Sequence, residues 1–122
     1  IKIKEYVHIY AHCEIIVGSL NKAFSALEEL LETTPDYLPA LFEMAVIFCL
    51  EGKTEKAQEL FQLLLQKGVQ MTPLLNITAK QLHANGKRDE ALIILNTTIE
   101  NKINDQETTS LYDALHHSRS GA

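Results

Sequence analysis

A chain of 122 residues with 46% hydrophobic and 22% charged side chains is long enough to bury a core and too apolar to stay disordered. No apolar run approaches the ~18–20 residues that span a bilayer. The net charge of −5 leaves no basic stripe to neutralise phosphates, which argues against nucleic acid and anionic membrane as partners. The charge is uneven: residues 4–37 carry two Lys against six acids, 38–71 three Lys against four Glu, and 72–105 balance. The chain opens at Ile1 with no basic-then-apolar leader, so its start reads as a trimmed end, and a cytoplasmic location is the expectation. Cys13 and Cys49 form no CxxC pair and read as small buried or half-buried thiols rather than a disulfide framework.

In chain order, residues 3–17 read as a helix, with Tyr6, Val7, Ile9, Tyr10, Cys13, Ile16 and Val17 largely at three- and four-residue steps. Gly18 ends it, since glycine accepts the left-handed conformation past a helix terminus. Ser19 or Asn21 caps a second helix to about Thr33, whose face is Ala23, Phe24, Leu27, Leu30 and Leu31. Thr34-Pro35-Asp36 breaks the chain. A third helix follows over about 38–50, with Pro39 in its first turn, and Gly52 punctuates. The fourth, about 54–67, presents Ala57, Leu60, Phe61, Leu64 and Leu65, and Gly68 closes it. Thr72 as N-cap and Pro73 as first helical residue start a fifth helix to about Ala84, and Asn85-Gly86 makes a turn. The sixth, about 88–101, buries Ala91, Leu92, Leu95 and Ile99. Asn104 or Asp105 caps a seventh, about 106–116, carrying Leu111, Tyr112 and Leu115, and 118–122 is read as a frayed tail. No segment shows the alternation of a strand. Short connections make antiparallel neighbours, giving three helical hairpins and one extra helix in a single domain over 1–117.

Three columns recur at a step of 34 residues: Gly18, Gly52 and Gly86; Ala23, Ala57 and Ala91; Ala11, Ala45 and Ala79. A fixed period in the range of roughly 20–50 residues marks a stacked array. Small residues stand where two helices must approach closely, and large ones fill around them: Val7, Leu41 and Leu75 in the first helices, Leu27, Phe61 and Leu95 in the second.

These columns resemble the tetratricopeptide repeat. The unit 38–71 is most similar, with Leu41, Met44, Ala45, Phe48, Gly52, Ala57 and Phe61 at the motif positions. The unit 4–37 supplies Val7, Tyr10, Ala11, Gly18, Ala23, Leu27 and Pro35, and 72–105 supplies Leu75, Thr78, Ala79, Leu82, Gly86, Ala91 and Leu95. Glu14, Leu64, Thr98, Val69 and Ile103 depart from the motif. The resemblance implies an all-α, right-handed superhelical α-solenoid of three antiparallel hairpins, with 106–116 as a C-terminal capping helix. It also implies a concave groove lined by first helices. That groove would take His8, Ile9, His12 and Ile16 from the first unit, and Phe42, Glu43, Val46, Cys49 and Leu50 from the second. The third would add Asn76, Ile77, Lys80 and His83. The family's clamp for acidic chaperone tails would fall on His8, His12, Glu43, Pro73 and Ile77, and those residues do not make it.

His8 and His12 share a helix face, but two ligands do not close the usual tetrahedral metal site and no HExxH follows, so no metal is expected. No nucleophile triad, P-loop or dinucleotide fingerprint appears, so neither catalysis nor a cofactor is expected. The functional expectation is a non-catalytic interaction module that binds an apolar or amphipathic protein or peptide segment in the groove. The alternatives are a regulatory or dimerising appendage of a larger enzyme, for example a glycosyltransferase, or a self-assembling scaffold that pairs through the groove or a terminal repeat.

Overall fold

The computed structural model describes residues 3–118, with side chains to His117, and the tail expected to fray, 118–122, lies outside the described side chains. Among the described residues there are seven α-helices and no strand: α1 (Ile3–Val17), α2 (Leu20–Thr33), α3 (Leu38–Leu50), α4 (Thr54–Gln66), α5 (Met71–Ala84), α6 (Arg88–Glu100) and α7 (Gln106–Ser118). The chain is all-α, and the predicted helices fall within two residues of the observed ones. None is long and apolar enough to cross a membrane. The chain divides into two compact units, Ile1–Val69 and Gln70–Ala122.

In the first unit α1 packs on α2 and α3, and α3 packs on α2 and α4. The small columns sit at these crossings: Ala11, Ala23 and Ala45 are fully buried and Ala57 nearly so. Ile15, Leu27, Ile47, Phe61 and Leu64 fill the space beside them. Phe24 of α2 meets Phe48 of α3 edge to face, with ring centroids 6.2 Å apart. The α3 sequence LPALFEMAVIFCL carries one charge, Glu43, and is apolar nearly all round, as a helix enclosed on several sides must be. In the second unit α5 packs on α6, and α7 covers both. Ala79, Leu82, Ala91, Ile94, Leu95 and Thr98 form its core.

The helices end in the same way, one period apart. Gly18 N–H donates to the Ile15 carbonyl and Ser19 N–H to Glu14. Gly52 and Lys53 repeat this on Cys49 and Phe48, and Gly86 and Lys87 on His83 and Leu82. Each is a six-to-one and five-to-two pair closed around a left-handed residue, which satisfies carbonyls that a helix end leaves open. The φ angles are 95°, 77° and 79° at the three glycines. The second helices of the later units end likewise at Gly68 and Lys102, and Lys102 takes the left-handed φ of 59° although it has a Cβ.

Local starts differ from expectation in two places. Ser19 precedes α2 without a side-chain hydrogen bond to the helix. α5 begins at Met71, and the Thr72 hydroxyl donates to the Ile103 carbonyl instead of capping. On α4, Leu65 is 49% exposed and not part of the buried face, whereas Ile94 of α6, which the sequence pattern passed over, is fully buried.

Candidate functional site

Two polar clusters and one apolar face stand out from this frame. The first cluster is in the first unit. Glu43 is 2% exposed, on a helix otherwise apolar, so its carboxylate must find partners or neutralise. It finds two histidines on α1. His8 Nε2 lies 3.0 Å from Glu43 Oε2, and His12 Nδ1 lies 3.0 and 3.2 Å from Oε2 and Oε1. Burial pulls the Glu43 carboxyl up, but the hydrogen bonds from His12 and His8, with their charge, outweigh it and hold the group below its ordinary range. An ionised carboxylate only accepts, so both rings donate: His8 through Nε2–H and His12 through Nδ1–H. The one-turn spacing of the two histidines on α1 brings both rings to one point on α3. Among the described residues, no three His, Cys, Asp or Glu side chains are arranged to hold a metal ion.

The second cluster ties α5 to the start of α7. Asn76 is fully buried. Its Nδ2 donates to Asp105 Oδ1 at 3.1 Å and to Glu107 Oε1 at 3.3 Å, and its Oδ1 accepts the Thr108 hydroxyl at 2.8 Å. Asp105 caps α7: its carboxylate accepts the Thr108 N–H at 2.9 Å, and its own N–H reaches Thr108 Oγ1 at 3.2 Å. The bond from the Thr108 backbone, then that from its hydroxyl, holds the Asp105 carboxyl below the usual aspartate value. Lys80 pairs with Glu107 beside it. Arg88, at the start of α6, donates to the Leu115 and His116 carbonyls in the last turn of α7, where a cation offsets the helix dipole.

These contacts place the residues expected in a groove. Phe42, Glu43, Val46 and Cys49 are buried at 4%, 2%, 0% and 6% exposure, because α3 is enclosed by its neighbours. The apolar floor expected from Phe42 and Val46 is therefore covered. Leu50, His8 and His12 are half-buried, and the histidines are turned to Glu43. Asn76, expected on the same surface, is instead spent on the α7 cap, and Lys80 is drawn to Glu107. Ile9, Ile77 and His83 are exposed.

The longest row of accessible apolar side chains lies on a different face. On α1, Ile3 is 64% exposed, Tyr6 71%, Tyr10 47% and Val17 54%, and Cys13 is exposed with them. The thiol at Cys13 thus differs from the buried or half-buried state expected, whereas Cys49 is buried. These five residues follow steps of 3, 4, 3 and 4, which is one stripe along a helix. Ala11 and Ile15 are the buried residues of α1, and His8 and His12 flank them on the far side from the stripe. α1 is apolar on two sides, and only one meets its own core.

No family model, no curated protein and no solved structure matches this chain.

Proposed function

We propose that the chain is a non-catalytic protein-interaction module of the tetratricopeptide type, and that it receives its partner on the outer face of α1. The repeat reading is supported by the helix-ending geometry at Gly18, Gly52 and Gly86, one 34-residue period apart. The right-handed solenoid that the family implies is part of the proposal. The docking reading is carried by one observation: α1 exposes Ile3, Tyr6, Tyr10, Cys13 and Val17 in one row while its opposite side fills the core. A row at that spacing is what a partner helix uses for anchoring. Tyrosine suits the role, since it adds large area with little rotamer entropy and is enriched among residues that dominate binding. Among the expected groove residues, Ile9 borders this face, at 58% exposure.

The test places a photo-reactive phenylalanine derivative at Tyr6 or, as control, at Leu65, the exposed leucine on α4. Irradiation in the cell gives a discrete adduct from the Tyr6 substitution and none from Leu65. Equal labelling from both positions, or no adduct from Tyr6, refutes the docking face.

A further inference from the structure

We infer that the occupant of the α1 face is a second copy of this chain, with the two α1 helices packed antiparallel. The inference rests on the docking reading above and names its partner.

Three observations carry it. The first is period. The exposed row Ile3, Tyr6, Tyr10, Cys13, Val17 alternates steps of three and four, the spacing of a seam between two paired helices. The second is area. The exposed fractions of these side chains amount to about 500 Å² of mostly apolar surface, at the upper end of what a monomer leaves uncovered. Covered in full, two such faces bury at most about 1,000 Å², which reaches the floor for a specific interface.

The third is self-complementarity of size. In an antiparallel pair the layers set Tyr6 against Val17 and Tyr10 against Cys13, then the same pairs again through the two-fold axis. Each bulky ring meets a small side chain, so four successive layers are of nearly equal volume. A parallel pair would stack Tyr6 on Tyr6, Tyr10 on Tyr10 and Cys13 on Cys13, alternately overfilled and underfilled. The row is matched to its own reverse, and no second kind of chain is needed to explain it.

The antiparallel register also fixes the thiols. Each Cys13 lies level with Tyr10 of the other copy, so the two Cys13 are three residues, or about 4.5 Å, apart along the helices in addition to the spacing between them. That leaves them beyond the roughly 7 Å Cα separation a disulfide can bridge, whereas the parallel register would bring them together.

The experiment is sedimentation equilibrium of the purified chain over a range of about 1 μM to 1 mM, the span a minimal interface of this size would occupy. The expected mass rises from 13.7 kDa toward twice that value with concentration. Tyr6→Glu with Tyr10→Glu weakens the dimer at least tenfold with far-UV circular dichroism unchanged, and Leu65→Glu leaves it as in the wild type. Should the Glu pair lose helicity, Tyr6→Gln with Tyr10→Gln serves in its place. A wild-type chain that stays monomeric throughout overturns the inference. So does a dimer that survives the seam substitutions. A Cys13–Cys13 disulfide dimer that forms readily under mild oxidant overturns the antiparallel register. The two readings fail separately: a Tyr6 photo-adduct with a different protein, from a chain that is monomeric alone, overturns the inference and keeps the docking face, whereas the absence of any Tyr6 adduct removes the face itself.

Discussion

Replacing Glu43 by Gln tests the buried cluster with little change of shape. In the wild type the carboxylate accepts from His8 at 3.0 Å and from His12 at 3.0 and 3.2 Å, and is 2% exposed. A hydrogen bond to a charged group contributes about 1.5–3 kcal/mol, and two rings are involved. The amide oxygen of Gln retains one acceptor, and the variant is relieved of the cost of burying a charge, so the two bonds are not lost in full. The net expectation is a loss of about 1–3 kcal/mol near neutral pH. Linkage gives the loss a pH signature. The folded-state carboxyl of Glu43 lies below its ordinary value of 4.5, so its stabilisation is complete above that value and disappears as pH falls through the lower folded value. The gap between wild type and Glu43→Gln therefore narrows as pH falls below 4.5, because a protonated Glu43 resembles the amide. The assay is urea denaturation followed by circular dichroism at stepped pH, with amide exchange in α1 and α3 to isolate the first compact unit. Equal stabilities at neutral pH, or a gap that fails to narrow below pH 4.5, would refute the reasoning.

The remaining predictions concern packing, turns and the α7 cap. Ala57→Leu overfills the crossing of α3 and α4, where Ala57 is 1% exposed, and costs about 1–3 kcal/mol by urea denaturation. Gly52→Ala costs about 1 kcal/mol, and the cost is backbone strain alone, because φ is +77° and a Cβ there would meet nothing within 4 Å. Lys102→Gly acts in the opposite direction, raising the melting temperature, since φ is 59° at a residue with a Cβ. Asn76→Ala removes two donors and an acceptor from the start of α7, and a carboxyl NMR titration then finds Asp105 moved up toward its ordinary value of 3.8.

The helices were legible because punctuation and period agree. Gly18, Gly52 and Gly86 mark turns by their conformational freedom, and Ala11, Ala45 and Ala79 mark crossings by their size, so two independent signals gave the same boundaries. Leu65 was misplaced for a simple reason: four leucines and a phenylalanine crowd α4, and one helix face cannot hold them all. The polar clusters were harder to read. Glu43 is the lone charge in α3, a signal that it must be paired, yet its partners lie 31 and 35 residues earlier and can be found only once α1 is set beside α3. Asn76 looked like a surface amide because its three partners sit at the entrance to α7, 29 to 32 residues downstream. Asp105 was legible as one of two candidate caps of α7, beside Asn104, but nothing local pointed back to Asn76.

The outer face of α1 shows why hydrophobic periodicity alone cannot say what is buried. Tyr6, Tyr10, Cys13 and Val17 gave the helix its three- and four-residue rhythm, and that rhythm belongs to the exposed side. The buried side uses Ala11 and Ile15, with His8 and His12 turned to a carboxylate, a set that carries a weaker apolar signal. Selection for a core would put the larger apolar residues inward. Here the bulk faces out, on a helix whose inward side is already satisfied, and fold stability within this chain gives no reason for two tyrosines at 71% and 47% exposure. The same unit hides Phe42 and Val46, and although Leu63 and Leu65 of α4 are also exposed, the longest row of exposed apolar side chains in it runs along α1. Binding through a single rigid helix depends on register and on the size of each opposed side chain, which is why Tyr6→Glu with Tyr10→Glu, and not loss of the covered Phe42 or Val46, is the substitution that separates association from folding.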